Sequence, residues 1–403
     1  MKVLMLCNKS PYPAREGGPI AMNMIAEGLL EAGHQVRILA VNSDKYCVDP
    51  DCIDPAYREK TGIELVHVDL SVKWIPAFFN LFTDRSYHVE RFISPVFRSK
   101  LIEVLRKESF DIVQFEMLFM SPYLDTVRNF SRARAVLRPH NIEHMIWQRI
   151  ADNTRNPLKK FYLDHLSRTL RQYELSVLQR FDGIVPITEE DAKFFREALR
   201  PATRNIPVSA IPFGIDADHL PEPSGPVEFP SLFSLGAMNW IPNEEGIRWF
   251  LDQVWPEVHA RMPSLKYYLA GRHMPAWLAE SRYPGVEVVG EVADAWEFMQ
   301  SKAIMLVPLF SGSGIRIKII EGMAAGKTII STSIGAEGIR CTNGRDIRIA
   351  DTAGQFLREI ETCARDAALC RRTGEEARRL VSDQYSRRKL IGRLTAFYRE
   401  IME

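Results

Sequence analysis

Residues 2–7, KVLMLC, form a short apolar run that ends in a polar, glycine-bearing loop, NKSPYPAREGG. The next stretch, PIAMNMIAEGLLEAG, has helical spacing, with Pro19 near its first turn and Gly33 as its stop. HQVRILAV reads as the following strand. Strand, loop, helix and strand in that order begin a parallel sheet, because parallel neighbours need a crossover long enough to hold a helix. FDIVQFE (110–116), RAVLRPHN (134–141) and FDGIVPIT (181–188) read as further strands, and 158–180 as a helix.

The pattern restarts near residue 231. SLFSLGAM is a strand, NEEGIRWFLDQVWPEVHARM a mostly helical stretch, and LKYYLAG a strand. VEVVG, KAIMLVPL, a helix over about 315–325 and TIISTS follow. Between the halves, PFGIDADHLPEPSGPVEFPS carries the Pro, Gly and Asp density of a crossing loop. The expected class is α/β, with two facing doubly wound, Rossmann-like domains over 1–205 and 206–380. Ligands of such sheets sit beyond the carboxyl ends of the strands, so the cleft between the domains is the expected site.

Composition removes several alternatives. The chain has 52 basic and 51 acidic residues, a net charge of +1, and so no global attraction for nucleic acid. Its six cysteines form no CxxC pair, which argues for free thiols in a reducing cytoplasm. MKVLMLCNKS does not read as a signal peptide, and no segment approaches the roughly 20 apolar residues that cross a bilayer. The first loop holds Gly17-Gly18 but no GxGxxG, so an adenine dinucleotide is not expected.

VPLFSGSGIRIKIIEGMAAGKTIIST (307–332) carries the phosphate chemistry. Its GMAAGKT segment imitates an ATPase loop, but Glu321 stands where the first glycine belongs, and GKT follows a helix instead of opening one. Gly326 is then a helix stop, and Lys327 serves a helix C-terminus. The better phosphate site is upstream, where FSGSG joins a strand to a helix. The small residues Gly312, Ser313 and Gly314 let backbone approach a ligand, amides at the helix start face an anion, and Arg316 and Lys318 add charge. By helical spacing Gly314, Lys318, Glu321 and Ala325 share a face. Glu321 would take the ribose diol of a nucleotide while the cations meet its diphosphate. The alternative for Lys318 and Glu321 is a solvated pair of little consequence.

At this point the chain resembles a retaining glycosyltransferase of nucleotide-sugar family 4, with the two-domain B-type architecture. The resemblance rests on PLFSGSGIRIKIIEGMAAGKTIISTSIGAEGI, supported by PYPAREGGPIAMNMIAEGLLEAGHQVRILA, PHNIEH, ITEEDA, IPFGID and LGAMNWIPNEEGIRWFLDQVWPEV. It implies that Glu321 binds the donor ribose and that His140 lies near the donor sugar, with Glu143 and His144 orienting it. The Gly17-Gly18 turn would approach phosphate and sugar, and the loop bearing Glu337 the nucleotide. The family's first glutamate falls at Ser313, which puts the sugar contacts in doubt. GAMNWIPNEEG offers no basic residue before Arg248, so Arg316 and Lys318 would supply the charge that stabilises the leaving diphosphate. Arg272, after LKYYLAG, is a further candidate for base or phosphate. Residues 381–403 are expected to form a C-terminal helix that returns to the first domain.

Implied with this are retention of anomeric configuration, a nucleotide-sugar donor as substrate, no tightly bound cofactor and no metal. HNIEH imitates a zinc helix but has Asn141 where HExxH needs Glu. Partners are the donor and a carbohydrate or lipid-linked acceptor, without nucleic acid. VKWIPAFFNLF (72–82) reads as a lid or a membrane-facing patch. RNPLKKFYLDHLSRTLRQYE is either a core-packed helix with a solvated basic face or a surface for anionic headgroups at the inner face of a membrane. The competing readings are an epimerase or phosphorylase of the same architecture, or an inactive nucleotide- or glycan-binding scaffold.

Overall fold

The computed structural model describes residues 1–14, 17–200, 204–216, 220–221, 225–280, 282–312 and 314–403. The chain divides into two compact units, Met1–Phe213 with Leu390–Glu403, and Gly214–Lys389. Each is built on a six-stranded sheet whose pairings are all parallel.

In the first unit the strands are β1 (Lys2–Cys7), β2 (Gln35–Asn42), β3 (Glu64–His67), β4 (Ile112–Glu116), β5 (Arg134–Arg138) and β6 (Gly183–Ile184). Their order is β3-β2-β1-β4-β5-β6. A parallel strand covered on both faces must be apolar throughout, which explains the unbroken VLML of β1, fully buried. The order reverses between β1 and β4, so the loops at their carboxyl ends diverge and leave a crevice there. The helix after β1 spans Gly17–Glu31, so Gly17 and Gly18 form its first turn instead of a turn before it. Pro19 still falls among the first four residues, whose amides have no partner within the helix, so it does not obstruct the earlier start.

The second unit holds β7 (Glu228–Leu235), β8 (Lys266–Ala270), β9 (Val286–Gly290), β10 (Lys302–Val307), β11 (Thr328–Ser331) and β12 (Arg348–Ile349). Their order, β12-β11-β10-β7-β8-β9, places the same reversal between β7 and β10. The stretch expected to be mostly helical forms two helices, Ile241–Gln253 and Trp255–Arg261, because Pro256 has no amide to continue the first. The helix expected over 315–325 is shorter, Ile317–Ala324, and ends at Gly326 in the left-handed conformation. Edge strands β3 and β12 were not anticipated; ELVH and RI are too short and too polar to stand out.

The last helix, Arg387–Met402, buries Leu390, Ile391, Leu394, Phe397 and Tyr398. Gly183 makes room for it, since a Cβ there would lie 2.7 Å from the Phe397 ring. Arg393 donates to the Ala210 carbonyl at 2.7 Å, and Tyr398 donates to Gln114 on β4.

Candidate functional site

The two ends of the crevice in the second unit are the loops after β7 and β10. Gly236 opens the first. A Cβ on the neighbouring Gly271 would lie 1.7 Å from the Gly236 carbonyl, so only glycine lets the β7 and β8 ends come this close. Gly246 similarly presses its helix onto the second loop, where a Cβ would lie 1.9 Å from the Pro308 carbonyl. The loops are therefore held at backbone contact distance before any side chain is considered.

Side chains then tie them together. Lys318 Nζ donates to Asn243 Oδ1 at 2.7 Å, and Asn243 Nδ2 donates to the Ala237 carbonyl at 2.8 Å. The Lys318 ammonium lies 3.7 Å from where a Gly236 Cβ would stand, so it reaches across to the β7 loop. Arg316, nearly buried, donates to the Gly314 carbonyl at 2.7 Å and stands over the Trp240 ring at 5.4 Å from its centre. Gly312 lies against the same arginine and tryptophan. Burial, with Arg316 beside it, lowers the Lys318 pKa to about 7. Burial raises the Glu321 carboxyl. Two cations are thus gathered in a partly desolvated place where an anion would restore the charge on Lys318.

The remaining expected residues of this unit lie on the adjoining loops. Arg272, half-buried, accepts the Met238 amide on its own carbonyl at 2.9 Å, so the β8 loop backs the β7 loop. Glu337 is exposed on the loop after β11, which Gly335 seats against Ser331 and Val307. Ser313 lies outside the described residues. Lys327 is buried elsewhere, donating to the carbonyls of Gln300 and Lys302 at 2.9 and 2.8 Å, beside the end of the helix Ala295–Ser301. That is a structural ammonium at a helix C-terminus, not the phosphate ligand of an ATPase loop.

In the first unit, Cys7, Glu116 and Arg138 stand side by side in register at the carboxyl ends of β1, β4 and β5. His140 follows β5 and places Nε2 2.8 Å from Glu116 Oε2. A carboxylate accepts and does not donate, so this contact puts the ring proton on Nε2. Arg138 Nε lies 3.9 Å from Glu116 Oε1, and Gln114 donates to the same oxygen. Glu116 and Arg138 are wholly buried. Burial lowers the His140 pKa, and the Glu116 contact opposes that shift. The positive charge of Lys9 also bears on His140, and the Lys9 side chain lies beside Gly18, 3.1 Å from where a Cβ would stand. Gly17 is exposed at the start of the same helix.

Glu143 and His144 do not orient His140. They begin the helix Glu143–Asp152, whose first amides need an acceptor, and Glu174 supplies it. Glu174 takes the amides of Glu143 and His144 at 3.1 and 3.3 Å, and His144 Nδ1 at 2.6 Å. Burial and the charge of Glu174 push the Glu143 carboxyl up to about 8. Glu116, Arg138 and Asn243 were missed in the sequence. The one available signal is that Glu116 and Arg138 are charged residues ending apolar strands and that Asn243 falls in the first turn of the helix after β7. Among the described residues no group of three or more His, Cys, Asp or Glu is arranged to hold a metal ion.

Comparison with known proteins bears on both units. A family model described as Glycosyltransferase Family 4 matches residues 17–219, half of the chain. One described as Glycosyl transferases group 1 matches residues 230–366. A 44.6 kDa protein in the cps region of Klebsiella pneumoniae is 21% identical, over 97% of this chain and 98% of its own length. Sucrose-phosphate synthase from Thermosynechococcus elongatus superposes with a TM-score of 0.69 at 16% identity, over 100% of this chain and 99% of that one. Anabaena HepE, in complex with UDP, superposes with a TM-score of 0.67 at 14% identity, over 99% of this chain and 100% of its own.

Proposed function

This chain belongs to glycosyltransferase family 4, with the B-type fold of a nucleotide-sugar glycosyltransferase, and we propose that it transfers a sugar with retention of configuration, without a metal ion, to an acceptor hydroxyl of a cell-surface glycan or glycolipid. One observation carries the reading: Arg316 and Lys318 converge with the glycine-rich loops at the β7–β10 reversal. As the sugar–phosphate bond breaks, negative charge grows on the departing diphosphate. Cations already fixed in a partly dry place stabilise that charge without reorganising, and losing one such group costs about 3–4 kcal/mol, a factor of about a hundred to a thousand in rate.

Glu321 takes the ribose diol in this reading, and His140, held by Glu116, positions the sugar or polarises the transition state. Retention fits attack on the face from which the diphosphate leaves, with that phosphate assisting. Uridine diphosphate sugars are the first donors to test, since HepE has been crystallised with UDP and with UDP-glucose. A relative from a cps region supports a glycan acceptor.

A thermal-shift screen of nucleotide sugars identifies the donor, because a ligand that binds only the folded state raises its apparent stability. Transfer to a panel of glycan and lipid-linked alcohols, with the anomer of the product read by NMR, then tests the reaction. Inverted product refutes retention. Epimerised donor or purely phosphate-dependent cleavage refutes transfer. Donor binding with neither transfer nor hydrolysis supports the inactive scaffold, the reading that Ser313 in place of the family glutamate would favour.

A further inference from the structure

Among the described residues of the first unit, exposed large apolar side chains gather over residues 74–82 and 158–161. The helix Trp74–Asn80 buries Ala77 in a small cluster with Tyr87, Ala151, Leu163 and Leu166. It is fixed to the helix Pro157–Leu178 by His165, whose Nε2 donates to the Asn80 carbonyl at 3.1 Å. Ile75 and Phe79 lie opposite Ala77 on the helical wheel and are 72% and 62% exposed. Trp74 is 86% exposed and Phe82, just beyond the helix, 76%. On the first turns of the neighbouring helix, Leu158 and Phe161, one turn apart, are 82% and 69% exposed.

A lone exposed leucine needs no explanation, but six large apolar side chains on or just beyond two helices packed together mark a surface that something covers. Charge decides what. Residues 69–85 and 145–168 hold seven basic and four acidic residues, a net +3, in a chain whose total is only +1. The remainder of the molecule is therefore net negative, and positive charge gathers around the apolar face. Arg155 and Lys159, which flank Leu158 in the chain, are exposed. Protruding aromatic and aliphatic side chains within a cationic rim match the headgroup layer of an anionic bilayer, where rings enter the interface and cations meet phosphates. No helix among the described residues is long and apolar enough to cross a membrane, so the contact is one of lying on the surface.

We propose that the outer faces of the Trp74–Asn80 helix and of the start of the Pro157–Leu178 helix form a docking surface for anionic lipid. The test is flotation of the whole protein with phosphatidylcholine vesicles, with and without phosphatidylglycerol. It needs no turnover and so stands apart from the sugar-transfer reading. The protein should float with the anionic vesicles, and less well without phosphatidylglycerol or in high salt. A Trp74→Ser/Phe82→Ser/Phe161→Ser variant should bind them at least about tenfold more weakly. Arg155→Glu/Lys159→Glu, which removes two charges and reverses both, should bind them about a thousandfold more weakly. All these side chains are exposed, so unchanged melting and circular dichroism verify folding. Absence of flotation by the native protein overturns the proposal, as does binding that either variant leaves intact. A dimer of the native protein that the apolar variant dissolves, without vesicle binding, would assign the face to a second copy of the chain and equally refute the lipid reading.

Discussion

If the donor diphosphate sits beside Lys318, as proposed, donor binding should depend on a proton. The Lys318 ammonium is held at about 7, against an ordinary 10.5, by burial and by Arg316. At pH 8 about one-tenth of the free protein then carries the charge, at pH 7 about half, and at pH 6 about nine-tenths. A diphosphate beside the ammonium restores the ordinary value, so binding should take up about 0.9 proton at pH 8, 0.5 at pH 7 and 0.1 at pH 6. Affinity should fall about tenfold from pH 6 to pH 8 for the same reason. A nucleotide sugar is the right probe, because its two diester phosphates do not titrate in this range. Calorimetry with UDP-glucose in two buffers of different ionisation enthalpy reads the uptake directly. Lys318→Gln should abolish both the uptake and the pH dependence. The stability of the free protein carries the opposite sign: between about 7 and 10.5 the unfolded chain binds the proton and the folded chain does not, so this residue's contribution to stability rises with pH. An uptake near zero at pH 8, or one that survives in Lys318→Gln, would refute the placement of the diphosphate beside this lysine.

Glu116→Gln should cost about 3–5 kcal/mol in stability, measured by urea denaturation, because it leaves Arg138 buried without its carboxylate. Glu116 holds the His140 pKa up, so in the same variant the acidic limb of the kcat profile should move to lower pH. Glu321→Ala should weaken UDP-glucose binding about ten- to a hundredfold by calorimetry, the value of a hydrogen bond to a charged group, while the melting temperature stays near that of the native protein. Gly246→Ala should force its helix away from Pro308, costing about 1–3 kcal/mol in stability and lowering donor affinity through displacement of the 308–316 loop.

Reading the residues alone located the strands wherever burial on both faces demands an apolar run, as in VLML of β1 and IMLV of β10. It also recognised Lys327 as a structural cation, because a loop that follows a helix cannot present amides to phosphate. What it could not supply were the partners. His140 depends on Glu116, 24 residues away, Lys318 on Asn243, 75 away, and Gln114 on Tyr398, 284 away. No local periodicity encodes such pairs; they arise because sheet order brings the carboxyl ends of non-consecutive strands together. The mistaken assignment of Glu143 and His144 to His140 came from judging proximity along the chain, when the nearer requirement was an acceptor for the amides that open their own helix.

The fourteen residues Leu390–Glu403 complete a unit whose other part ends at Phe213. Synthesis from the amino terminus therefore delivers β4 and Gly183 early and their cover last, after the whole intervening unit has been made. Throughout that interval the nascent first half exposes the apolar seat meant for Leu394 and Phe397, and Gln114 awaits the Tyr398 hydroxyl. A fragment stopped at residue 213 would inherit that unfinished state permanently, and a chain shortened by the helix Arg387–Met402 would carry the lesion in its amino-terminal half.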